Sequence, residues 1–196
     1  MMFALSERAQ DFITRTQAFI QQEIEPIEKA FWDEVHQLNV DGDWTKWQWP
    51  AQLEQLKTKA KAAGLWNMFL PDAELGAGLS VQEYAHIAEL TGRSLLAPTV
   101  FNCNAPDSGN MEVLWRYGSD EQKRQWLQPL LAGEIRSVFC MTEPAVASSD
   151  ATNMQATAVV DGDEIVLNGR KWWSSGLGDP NAKVIIFMAY TPDPNK

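Results

Sequence analysis

Only two cysteines, Cys103 and Cys140, occur among the 196 residues. Two thiols cannot make a disulfide framework, and such sparse use suits a reducing compartment. Histidine is as scarce. His36 and His86 have no Cys or His partner at metal-ligand spacing, which excludes a zinc site of the usual kind. Positive charge is in deficit, and a net charge of −10 argues against nucleic acid or an anionic membrane as the main partner. No apolar run approaches the ~20 residues of a membrane helix. The N-terminus lacks the basic region and apolar core of a secretory signal. Internal repeats and low-complexity tracts are missing too. The expectation is a soluble, intracellular protein, cytoplasmic by default and mitochondrial or peroxisomal in a eukaryote. A hydrophobic content of 45% with 21% charged residues fits such a chain.

What is present divides in two. Leu5, Ala9, Phe12, Ile13, Thr16, Phe19, Ile20 and Ile24 recur at helical spacing behind Ser6, a natural N-cap, until Pro26 interrupts. Ile27, Phe31, Val35 and Leu38 give a second helical face. Trp44, Trp47 and Trp49 are read as packing ahead of a helix rather than as a ligand platform, because large aromatics are mostly buried payload. That helix runs from Pro50 to Gly64. Ser80–Glu83 and Ser119–Gln122 are capping boxes that open two more helices, the second closing at Gly133. Between them lies 97–111, rich in Pro, Asn, Gly and Ser, with a helix ending near Gly118.

After Ile135 the period changes. Strands are expected at Val138–Met141, Gln155–Val160, Glu164–Leu167, Arg170–Ser174 and Val184–Tyr190. Asp161-Gly162-Asp163 is turn chemistry, and Asn168-Gly169 is a strong hairpin signal. The fold class is therefore α+β, an all-helical domain at 1–135 followed by an incomplete antiparallel β-barrel-like domain at 136–196. An open sheet edge there predicts self-association.

Candidate chemistry gathers in two stretches of the second domain. Thr142-Glu143-Pro144 leads into Ala145, Ala147, Ser148, Ser149 and Asp150, small residues whose amides and hydroxyls can approach phosphate oxygens closely. Some thirty residues on, Lys171-Trp172-Trp173-Ser174-Ser175-Gly176 adds flat rings and more hydroxyls. Together they are equipment for a flat heterocycle attached to a pyrophosphate.

Thr142-Glu143-Pro144, Ser149-Asp150 and Asn168-Gly169-x-Lys171-x-Trp173 resemble the signature of the acyl-CoA dehydrogenases, Thr-Glu-Pro-x-x-Gly-Ser-Asp followed by Asn-Gly-x-Lys-x-Trp-Ile-Thr. The resemblance implies FAD as cofactor and α,β-dehydrogenation of an acyl-CoA thioester: an α-proton goes to a carboxylate and a hydride from the β-carbon to flavin N5. It implies that Thr142 hydrogen-bonds the isoalloxazine, with Phe139, Cys140 and Met141 lining the ring. Trp173 packs against it, and Ser174 and Ser175 supply hydroxyls beside it. Ser148 and Ser149 lie at the pyrophosphate, with Ser149 also near the CoA substrate.

Two departures stand out. Ser148 replaces the usual glycine, so the turn must accept a Cβ. Trp172-Trp173-Ser174-Ser175 replaces the commoner Met-Trp-Ile-Thr and resembles a branch of the family some of whose members carry a phosphotransferase-like domain. Glu143 is structural in the family, whose base is a glutamate on a C-terminal helical domain. That domain lies beyond these residues, so the expectation is a truncated member of fatty acid metabolism without its own catalytic residue, and inactive alone. The resemblance also implies electron-transferring flavoprotein as acceptor and a homo-oligomer at full length. Two other readings stay open: a non-catalytic module that binds acyl-CoA or a partner, and an oxidase-like relative passing electrons to oxygen.

Overall fold

The computed structural model describes residues 4–192. The chain forms two compact units, Met1–Glu134 and Ile135–Lys196.

In the first unit Ser6 caps α1 (Glu7–Phe19), its side chain accepting from the Ala9 amide at 3.1 Å. The helix buries Ala9, Phe12 and Thr16, then passes into a π turn at Ile20–Ile24 that buries Ile20 and Ile24. After Pro26 comes α2 (Glu28–Leu38), which buries Phe31 and Val35 at the spacing one face requires. Helix α3 (Gln52–Ala62) ends at Gly64, whose φ of +65° is left-handed. Helix α4 (Val81–Thr91) starts from the Ser80–Glu83 capping box.

Glu83 serves two helices. Its Oε2 accepts from the Ser80 amide and hydroxyl at 3.0 and 2.9 Å, while its Oε1 accepts from the Ser6 hydroxyl at 2.6 Å. One carboxylate thus ties the starts of α1 and α4, which pack together. These bonds, the Ser6 hydroxyl foremost, pull its pKa down to about 2.

A short helix α5 (Ala97–Val100), then α6 (Asp107–Tyr117), occupies the Pro- and Asn-rich stretch. The second capping box opens α7 (Asp120–Gln122), which continues through a π turn at Lys123–Leu127 into α8 (Gln128–Ala132) and stops at left-handed Gly133. The apolar run 65–70 is not a regular element but core. Leu65, Met68 and Leu70 are fully buried, and Asn67 bends the chain at a φ of +52°. The Asn67 and Asn102 side chains bond each other at 2.7 Å and reach the Leu131 and Leu130 carbonyls at 2.9 Å, so the end of α8 is satisfied from inside. Trp47 and Trp49 join Trp32 and Phe31 in an aromatic cluster, as the packing reading expects, while Trp44 is exposed. A groove of about 500 Å³ runs between Trp32, Val35, His36, Asn39 and Trp47.

In the second unit β1 (Arg136–Cys140) pairs with β4 (Ala182–Phe187), Val138 opposite Ile185 and Phe139 opposite Ile186. The pair is parallel, which corrects the all-antiparallel expectation. The intervening chain crosses over and re-enters at the same end, a path that parallel pairing requires. Strands β2 (Thr157–Asp161) and β3 (Glu164–Asn168) form an antiparallel hairpin. Its turn is at Gly162, with a φ of +62°. The second hairpin expected at Asn168-Gly169 is not formed, and 170–174 is not a strand. Gly169 instead lets the backbone pass close to Ala156, whose Cα lies 2.8 Å from where a Cβ would stand. The chain turns inward there because Lys171 is drawn into a buried ion pair.

Candidate functional site

The site is built on the exit of β1 and the segment after β3. In β1 Ser137, Val138 and Cys140 are buried, while Phe139 is about one-third exposed. Beyond Cys140 the Met141 and Thr142 carbonyls both receive donors from the later segment. Lys171 Nζ donates to Met141 O at 2.9 Å, and the Trp172 amide donates to Thr142 O at 3.0 Å. The two sequence motifs therefore meet in space through one side-chain and one main-chain bond.

Glu143 lies at the centre of that meeting. It is buried, and its Oε1 accepts from Lys171 Nζ at 2.8 Å and from the Ala156 amide at 2.9 Å. Its Oε2 accepts from the Gln155 amide at 2.8 Å. The ammonium also faces the Phe187 ring, 5.1 Å from its centroid. Lys171 first, then the two amides, hold the Glu143 pKa down to about 2. So stable an anion is a poor proton acceptor, since a general base works best with a pKa near the operating pH.

The remaining residues singled out from the sequence fall into three groups. Thr142, Ser149 and Ser175 are exposed at the surface. Trp173 is 80% exposed with a left-handed φ of +54°, and its ring stands 5.8 Å from that of Trp172. Cys140 and Ser148 are buried. The Ser148 Oγ accepts from the Glu143 amide at 2.6 Å, and its own amide donates to Val146 O at 2.8 Å, so it braces the turn from within. The Ser174 Oγ is buried without a hydrogen-bond partner among the described residues.

Lys171, whose ammonium joins the two motifs, is not among the candidate site residues read from the sequence. Its place in the second motif, one residue before the paired tryptophans, was the available signal. Beside the clasp a cleft of about 440 Å³ opens between Pro144, Ala145, Gln155, Asn168 and Arg170.

A helical unit followed by a β unit that carries both motifs on one clasp defines a class, and the comparisons place the chain within it. Residues 6–134 match the description "Acyl-CoA dehydrogenase, N-terminal domain" and residues 138–196 match "Acyl-CoA dehydrogenase, middle domain". The chain belongs to the acyl-CoA dehydrogenase family. It is 51% identical over 194 residues to acyl-CoA dehydrogenase family member 11 of Mus musculus, covering 99% of this chain and 24% of the relative. A solved acyl-CoA dehydrogenase structure from Mycobacterium abscessus is 62% identical, with a TM-score of 0.90 over 99% of this chain and 48% of that one. Another from Bacillus anthracis, complexed with FAD, is 25% identical, with a TM-score of 0.65 over 95% of this chain and 29% of that one. The chain thus spans a quarter to a half of the length of these relatives.

Proposed function

We propose that this chain supplies part of the flavin wall of an FAD-dependent acyl-CoA dehydrogenase. The observation that carries the reading is Trp173. An indole exposed to 80%, on a residue held left-handed, is a costly feature for a bare surface. It is accounted for by a flat ring lying against it. Bound FAD would supply the redox chemistry, accepting a hydride from the acyl β-carbon.

In this reading Trp173 packs on the isoalloxazine. Thr142 and Ser175 offer hydroxyls to its polar edge, and Phe139 presents its exposed face beside them. Cys140 and Met141 contribute through the backbone. Ser149 meets the pyrophosphate and the CoA portion of the substrate. Ser148 and Ser174, both turned inward, shape the turns rather than face the ring. Glu143 is a held anion and not the base, so proton abstraction falls to a carboxylate outside these residues. An acyl-CoA is the substrate, electron-transferring flavoprotein the acceptor, and a homo-oligomer the working form.

The test is the visible spectrum of the purified chain after FAD addition and desalting. A retained flavin band, weakened by Trp173→Ala and by Thr142→Val, supports the reading. A folded chain that retains no flavin, with no difference between wild type and these variants in titration, overturns it.

A further inference from the structure

We propose that Glu143 and Lys171 are positioning residues that couple the phosphate-type turn 144–149 to the aromatic wall 171–175, with Ser148 as the link on the turn side. The inference rests on the flavin reading and concerns how the two halves of that site are held in one arrangement.

The bonds of the pair reach toward both halves, and the Glu143 carboxylate accepts in addition from the Gln155 and Ala156 amides at 2.8 and 2.9 Å. On the turn side, the Glu143 amide donates to Ser148 Oγ at 2.6 Å. On the wall side, the Glu143 carboxylate holds Lys171 at 2.8 Å. Lys171 Nζ returns to Met141 O at 2.9 Å, and the next residue, Trp172, donates its amide to Thr142 O at 3.0 Å. The pair is buried on both sides, with the two partners' side chains 5% and 3% exposed. A buried ion pair is weak evidence for stability, because desolvation offsets most of the attraction, whereas removing one partner strands the other. What it does confer is a fixed geometry, since an ammonium and a carboxylate with filled bonding sites admit few alternatives. Ser148 supplies the turn-side acceptor of the coupling. The glycine usual at that motif position has no hydroxyl to accept from the Glu143 amide.

Backbone amide exchange, read by NMR on the 196-residue chain without ligand, tests the coupling directly. Lys171→Met removes only the wall-side charge. Exchange should rise at least about tenfold at the Trp172 amide and also at the Glu143 amide, the loss of one charge-assisted hydrogen bond. Faster exchange at Trp172 with the Glu143 amide unchanged would overturn the coupling. Ser148→Gly, which keeps the ion pair and the family's usual residue, guards against a variant that fails to fold. It should speed the Glu143 amide and transmit a smaller change to Trp172, and no change at Trp172 counts against the link.

FAD titration of the same proteins, followed by flavin circular dichroism, gives the second arm. Lys171→Met should weaken binding by at least about tenfold and flatten the flavin signal, with Lys171→Arg recovering part of both. Equal affinity and an identical signal in Lys171→Met would reduce the pair to a structural role. A wild-type chain that binds no FAD would sink the flavin reading, while the exchange data would still decide the coupling.

Discussion

In the helical unit the largest buried side chains, Phe31, Phe101, Ile24 and Leu130 among them, pack at or near zero exposure. Among the described residues of the β unit the buried apolar side chains are Val138, Cys140, Met154 and Ala156, none of them a large aromatic. Its hairpin exposes Val160 and Ile165 by about two-thirds each. The β unit also buries an ammonium and a carboxylate, those of Lys171 and Glu143. One unit is specified by apolar volume and the other by a small set of directed bonds. Damage should therefore spread differently: volume loss is felt through a whole core, whereas a broken bond or a blocked approach acts on a few segments.

The largest effect is expected where volume matters most. Phe101 is fully buried and meets Phe19 edge to face at 5.3 Å. Phe101→Ala should lower the unfolding free energy of the helical unit by about 3–5 kcal/mol, measured as a urea midpoint by circular dichroism at the helical band. A loss no greater than that of a surface substitution would contradict the volume account. Next comes the β unit's tightest approach. Gly169→Ala sets a Cβ against Ala156 on a residue with a φ of +155°. Overpacking of about 1–3 kcal/mol adds to backbone strain of about 1–3 kcal/mol. Faster amide exchange should appear at Gln155 and Ala156 with the helical unit unchanged, and unaltered exchange there would refute the close-approach reading.

How much of this was legible follows the same division. Helix starts could be read because Ser6, Ser80 and Ser119 carry their capping chemistry within three residues. Helix faces repeat at a fixed period. The candidate residues Thr142, Ser149 and Trp173 were reachable through motif spacing, and the α+β class through the change of period after Ile135. Three features were not legible. The parallel β1–β4 pairing depends on where the long crossover between Cys140 and Ala182 returns, which no local pattern encodes. Asn168-Gly169 carries strong hairpin chemistry, yet the tertiary pull of Lys171 toward Glu143 overrides it. Ser148 looked like an open phosphate donor, but its hydroxyl turns inward because a nearby buried amide needs an acceptor.

Acid separates the two units by a smaller margin. Glu83 and Glu143 both titrate near 2 in the folded chain, below the ~4.3 of a free glutamate. A depressed carboxylate contributes stability that is complete above the free value and lost as pH falls toward 2. Between about pH 4.5 and 2 both units should weaken. Glu83→Gln should flatten that dependence in exchange of the α1 and α4 amides only, and Glu143→Gln in that of the β unit only. A change in the other unit from either variant would show that the acid response is global.

The smallest effect isolates backbone strain from crowding. Gly162 closes the β2–β3 turn at a φ of +62°, and a Cβ added there meets nothing within 4 Å. Gly162→Ala therefore carries only the left-handed penalty of about 1–2 kcal/mol, offset by about 0.4–1 kcal/mol from a less flexible unfolded chain. A net loss of about 1 kcal/mol, confined to exchange along β2 and β3, is expected. Gly169→Ala adds a collision with Ala156 to the strain of a φ of +155°, a region side-chain-bearing residues rarely adopt, so it should lose more than Gly162→Ala. Equal losses would mean that the packing of Gly169 on Ala156 contributes nothing, and that the inward turn of Lys171 must be explained by its ion pair with Glu143 by itself.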